Sequence, residues 1–139
     1  MIIKCKENML ENVCNDETQD MLLADYNRIS GKEESLEKGR CYVVYSLFIT
    51  NNDFKWYLLK IGSCPIWYPE IFFEIIDLTP SKYWMTFWVD GIALSSDKGK
   101  LYSFPEFNDD FYYDLVESCE KENAIFSEYA NKIRNEAIL

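Results

Sequence analysis

Cys41-Tyr-Val-Val-Tyr-Ser-Leu-Phe-Ile-Thr50 is rich in β-branched and aromatic residues and has the brevity of a buried strand. Asn51, Asn52 and Asp53 supply turn chemistry after it. The following Phe54-Lys-Trp-Tyr-Leu-Leu-Lys-Ile61 is the right length for an antiparallel return. Residues 41–61 therefore read as a hairpin, closed by Gly62 and Pro65.

More strands follow on the C-terminal side. Pro69 opens Glu70-Ile-Phe-Phe-Glu-Ile-Ile-Asp77, read as a strand with Ile71, Phe73 and Ile75 on one face and Phe72, Glu74 and Ile76 on the other. A short helix is the rival, and it would set Glu70 and Glu74 one turn apart as like charges. Leu78 to Ser81 forms a turn into Tyr83-Trp-Met-Thr-Phe-Trp-Val89, where Trp84, Thr86 and Trp88 share a face. Asp90-Gly91 and Asp97-Lys98-Gly99 are turn signals around Ile92 to Leu94, and Lys100 to Phe104 adds a last short strand.

Helical patterns flank this region. Ile2 and Ile3 suggest a short strand or arm. Asp16 can cap a helix through Met21, Leu22, Asp25 and Ile29, with Glu17 and Asp20 in its first turn and Gly31 as its stop. The charged stretch 32–38 reads as a loop. Toward the C-terminus, Asn108 can cap a helix whose Phe111, Leu115 and Cys119 face inward. Asn123 can cap a second helix, with Phe126, Tyr129, Ala130 and Ile133 inward and Glu128 and Lys132 paired one turn apart. The predicted fold is α+β: one domain over 1–139, with an antiparallel sheet of four to six strands in the middle of the chain and an N-terminal helix and two C-terminal helices packed on it.

Composition narrows the chemistry. The 139 residues carry 24 Asp and Glu against 14 Lys and Arg, a formal charge of −10, and no histidine. Such a balance steers association toward cationic partners and away from nucleic acid or anionic lipid. Missing histidine removes the usual general base near neutral pH and the commonest activator of serine and cysteine nucleophiles. Five scattered cysteines (Cys5, Cys14, Cys41, Cys64 and Cys119) form no Cys-x-x-Cys pair, which argues for reduced thiols rather than zinc. Cys41 and Cys119 read as small buried hydrophobes, and Cys64 in its turn as the thiol to test for reactivity. The glycines stand singly, so no phosphate-cradling loop is present, and no cofactor or metal is expected. No apolar run approaches a membrane span, and no leader pattern opens the chain; the expected location is the cytoplasm.

An acidic surface remains as the candidate site. Between Glu106 and Glu122 stand seven carboxylates with Lys121 as the one cation. An ordinary solvated helix face accounts for this run. The functional alternative is a contact patch, with Asp109, Asp110, Asp114 and Glu117 steering a basic partner and Tyr112 and Tyr113 as anchors. A second run, Glu7 to Asp25, holds six carboxylates and no cation.

In size, acidity and element order, the chain resembles small immunity proteins of bacterial toxin systems, including those of contact-dependent growth inhibition. The likeness covers about the last hundred residues, through Trp56-Tyr-Leu-Leu, Tyr83-Trp-Met-Thr-Phe-Trp-Val-Asp-Gly91 and helices beginning near Phe104-Pro105. It implies a non-enzymatic protein, monomeric or homodimeric, that neutralises a cationic cognate toxin, most plausibly a nuclease, by stoichiometric binding. The alternative is an interaction module or assembly subunit that uses exposed sheet aromatics, Trp84 and Trp88 above all.

Overall fold

The structure is a computed structural model and describes residues 1–8, 36–62, 65–92, 97–107, 109–117 and 119–138. Its strands are β1 (Ile2–Cys5), β2 (Cys41–Val43), β3 (Ser46–Thr50), β4 (Lys55–Leu59), β5 (Ile66–Pro69), β6 (Phe73–Asp77), β7 (Met85–Val89) and β8 (Gly99–Ser103). A 3-10 turn, Glu70–Phe72, leads into β6, and the helices are α1 (Asp109–Val116) and α2 (Glu120–Ile138).

The strands form two antiparallel sheets, a three-stranded one in the order β2-β1-β6 and a five-stranded one in the order β5-β4-β3-β8-β7. The single sheet expected from sequence is therefore incorrect. The physical reason lies inside the stretch that reads as one strand, Cys41 to Thr50. Val44 donates its amide to the Met1 carbonyl (3.1 Å), beside β1, while Tyr45 donates to Leu58 (3.0 Å) in β4. Successive amides are thus satisfied by different sheets, and the chain passes from one sheet to the other without a turn residue.

The helical complement differs too. The C-terminal part is one long helix, α2, preceded by the eight-residue α1, which packs against it. Beyond α1, the strand that α2 contacts most is β2 of the small sheet, so a pair of helices laid side by side on one central sheet is not what forms. The N-terminal helix expected from Asp16 lies outside the described residues. Nor does Asn123 open a helix: α2 starts at Glu120, and Asn123 donates its side-chain amide back to the carbonyls of Cys119 (2.9 Å) and Leu115 (3.3 Å). It closes the end of α1, where carbonyls lack helical partners.

The hairpin of β3 and β4 pairs Ser46 with Leu58 through Ile49 with Lys55. Its turn places Asp53 at φ 64°, a left-handed conformation that Asp tolerates better than most residues. Thr50 fastens the turn by accepting the Phe54 amide on its hydroxyl (3.1 Å).

Side-chain alternation gives the five-stranded sheet two different faces. Tyr57 and Tyr68, opposite each other on β4 and β5, meet Phe73 of the small sheet edge-on at 5.7 and 6.4 Å. Trp67 points the other way and meets Phe107 and Tyr112 at 6.2 and 6.4 Å. Phe104, fully buried, gathers Phe107, Phe111, Phe126 and Tyr129 around one ring. Phe111 and Leu115 of α1, and Phe126, Ala130 and Ile133 of α2, are buried as their spacing requires.

Candidate functional site

Phe73 and the small sheet cover the β4–β5 end of one face of the larger sheet. Farther along the same face, the row Ile49, Lys100 and Trp88 crosses β3, β8 and β7 in direct register. Trp88 is 72% exposed and Ile49 and Lys100 are half-buried. Lys100 holds its ammonium 4.9 Å from the centre of the Trp88 ring, a weak attraction between cation and π-face that favours this orientation of the indole. Beside this row is an open hollow of about 290 Å³, lined by Ile49, Asn51, Asp53, Trp88, Lys100 and Tyr102.

β7 ends the sheet order, and among the described residues β8 is its only strand neighbour. Its opposite face exposes Met85 to 51%, so both sides of this strand present apolar surface to solvent. Trp84, expected to share the surface with Trp88, is instead half-buried and donates its indole N–H to the Tyr45 carbonyl at 2.8 Å. It precedes the strand and serves the core.

The acidic helix is a separate surface. Asp114 is half-buried and Glu117 exposed. Together with Glu122 they raise the Cys119 thiol above its ordinary value, though local desolvation is the larger cause. Each of the three carboxylates thus lies within electrostatic reach of Cys119, with no basic residue in the last turn of α1. Tyr112 is not a free anchor. It packs on Trp67 and Phe107 and donates its hydroxyl to the Pro65 carbonyl (3.4 Å). Asp109, Asp110 and Tyr113 belong to α1, but their side chains lie outside the described residues. In the second acidic run, Glu7 is ion-paired with Lys38 at 3.3 Å, and everything from residue 9 onward lies outside the description.

Thiol expectations are partly reversed. Cys41 is exposed, and the buried thiol is Cys5, pushed up in pKa chiefly by desolvation. Cys119 is half-buried; Cys14 and Cys64 are outside the described residues. Among the described residues, no group of three or more His, Cys, Asp and Glu side chains could hold a metal ion, and no helix is long and apolar enough to cross a membrane.

Sequence reasoning reached Trp88 but missed Met85, Lys100 and the hollow beside them. A signal was available: Met85-Thr-Phe-Trp-Val89 is a strand with no charged side chain and no proline in a chain that is otherwise strongly acidic.

Together these elements define a mostly-sheet antiparallel α+β protein in which, among the described residues, β7 forms an exposed aromatic edge. No protein-family model matches the chain, nor does any curated protein or solved structure.

Proposed function

We propose that the chain is a non-enzymatic protein-interaction module that contacts its partner through the β7 edge, with Trp88 as the central anchor. The observation that carries this reading is a tryptophan 72% exposed on an uncharged edge strand. A large apolar side chain on a strand that, among the described residues, ends its sheet supplies the desolvation gain of a contact surface, and an outer strand edge can add directional bonding.

The acidic helix supports a second reading, an immunity protein that captures a cationic toxin. In its favour are Asp114, Glu117 and Glu122, each of which acts on the Cys119 thiol. Asp114 in the last turn of α1 and Glu117 just after it stand where carboxylates are unfavourable for the helix, and such negative charge favours steering of a basic partner.

The test is comparative capture from lysate of the source cell by the tagged protein, by Trp88→Ala, and by Asp114→Lys/Glu117→Lys. Loss of a retained partner with Trp88→Ala alone supports the β7 reading. Loss with the charge reversal alone, especially of a basic protein that inhibits growth when expressed by itself, transfers the function to the helix. Retention that ignores both changes sinks both readings.

A further inference from the structure

The turn between β3 and β4 and the row Ile49, Lys100 and Trp88 both border the open hollow of about 290 Å³. That turn is well fastened. The Thr50 amide donates to the Phe54 carbonyl and the Asp53 amide to the Thr50 carbonyl, each at 2.9 Å. Asn51 donates its amide to the Lys98 carbonyl (2.9 Å), which joins the turn to the approach of β8. Asn51 and Asp53 are therefore held beside the hollow in advance, and such preorganisation lowers the ordering cost of binding.

The polar side chains of the hollow are uncommitted. Among the described residues, the Asn51 carboxamide, the Asp53 carboxylate, the Lys100 ammonium and the Tyr102 hydroxyl make no hydrogen bond or ion pair within the protein. The carboxylate only accepts, the ammonium only donates, and the carboxamide and phenol do both. The charges of Asp53 and Lys100 cancel, so the hollow, unlike the −10 protein around it, favours neither an anion nor a cation. Ile49 and the exposed Trp88 indole add apolar surface. The matching ligand carries no net charge, has one apolar face, and has a rim of groups that each donate and accept.

We propose that the hollow binds one pyranose ring, its C–H face on the Trp88 indole and its hydroxyls donating to Asp53 and Asn51 and accepting from Lys100. A sugar hydroxyl donates and accepts at once, so one neutral ring satisfies both the carboxylate and the ammonium. Lys100 keeps its ammonium 4.9 Å from the indole centre, where a group lying on the indole meets its donors. At about 290 Å³ the hollow lies at the small end of ligand pockets, which begin near roughly 300 Å³. It takes a single ring, and its open mouth leaves the ring's substituents in solvent. The ring is either a free sugar or one unit of a glycan. This site shares Trp88 with the contact surface proposed above and uses none of the β7 backbone.

The test is titration of the full chain with the methyl pyranosides of glucose, mannose, galactose and N-acetylglucosamine, read from the Trp88 indole N–H and Asn51 carboxamide signals in ¹H–¹⁵N spectra. Saturable shifts of both signals are expected with some of these sugars and not others, with Kd about 1 mM. Asp53→Asn suits the left-handed turn, which asparagine tolerates, and should weaken binding about tenfold by removing a charge-assisted hydrogen bond. Lys100→Met keeps an apolar stem beside the indole and should weaken binding to a similar degree. Tighter binding of an oligosaccharide that carries the preferred sugar assigns a glycan as the source, and equal binding assigns the free sugar. No saturable shift up to about 50 mM of any sugar overturns the proposal. Binding indifferent to both variants overturns it too, as does tighter binding of adenine than of every sugar. The two readings fail separately: Asp53 is no part of β7, so Trp88-dependent capture of a protein should survive Asp53→Asn whether or not a sugar binds.

Discussion

The rings of Phe104 and Tyr129 are stacked 4.4 Å apart and within 7° of parallel. Phe104 follows β8 and Tyr129 lies in α2, so this contact ties the long helix to the larger sheet. Phe104→Ala would remove the shared ring of a buried aromatic cluster and should cost about 3–5 kcal/mol in denaturant unfolding. Tyr129→Phe keeps the stack and loses only an exposed hydroxyl bond to Glu106 at 3.2 Å. It should lie within about 0.5 kcal/mol of wild type. Equal losses for both would show that the hydroxyl, not the ring, holds the joint.

Gly99 begins β8 opposite Thr50 and Val89. A Cβ there would collide with the Ile49 carbonyl oxygen and stand 2.8 Å from the Thr50 Cα. Backbone of a central strand cannot rotate away as a side chain can, so Gly99→Ala should destabilise by about 1–3 kcal/mol. Gly62, whose added Cβ would meet nothing within 4 Å, is the matched control. A Gly99→Ala midpoint equal to that of Gly62→Ala would contradict the close approach.

Ser46 and Ser103 are completely buried, and their hydroxyl oxygens lie 2.6 Å apart between β3 and β8. Removing one hydroxyl strands the other, so either single alanine variant should cost about 1–3 kcal/mol. Removing both takes away the stranded group as well, and the double variant should be less destabilised than the sum of the singles. Strict additivity in a double-mutant cycle would mean that the two hydroxyls are satisfied independently.

Burial raises the Glu70 carboxyl above the usual carboxylate range, with Lys55 (3.8 Å away) and Lys6 opposing the shift. A carboxyl that holds its proton more tightly when folded contributes its full stability below its ordinary pKa. That contribution is lost as pH rises through the raised folded value. Glu70→Gln should therefore melt higher than wild type at neutral pH, and the difference should close below the ordinary carboxylate range. A lower melting temperature at neutral pH would mean that the Lys55 ion pair outweighs desolvation.

Local periodicity made part of this molecule legible. The Ser46–Leu59 hairpin and the inward residues Phe111, Leu115, Phe126, Ala130 and Ile133 follow from spacing alone, because one side of each element meets the core. What local pattern could not reveal was the destination of individual amides. Nothing in Val44-Tyr45 signals a change of sheet; the change is made by bonds to Met1 and Leu58, residues remote in sequence. The same limit applies at the candidate site. Trp84 and Trp88 fall on one face by alternation, yet the Tyr45 carbonyl claims one indole and leaves the other in solvent. Asn123 has the chemistry of a helix cap, yet its side-chain amide donates back to Leu115 of the preceding helix (3.3 Å) and to Cys119, whose own amide already turns back to Asp114 (3.0 Å).

Within the small sheet, β1 is the middle strand: Ile3 is paired with Tyr42 on one side and with Ile75 on the other. Both partners lie far from β1 in sequence, β6 farther than β2. The apolar pair Ile2-Ile3 therefore needs the β6 segment before it is flanked on both sides. Closure over such separations is slow, which makes completion of the small sheet a late step of folding.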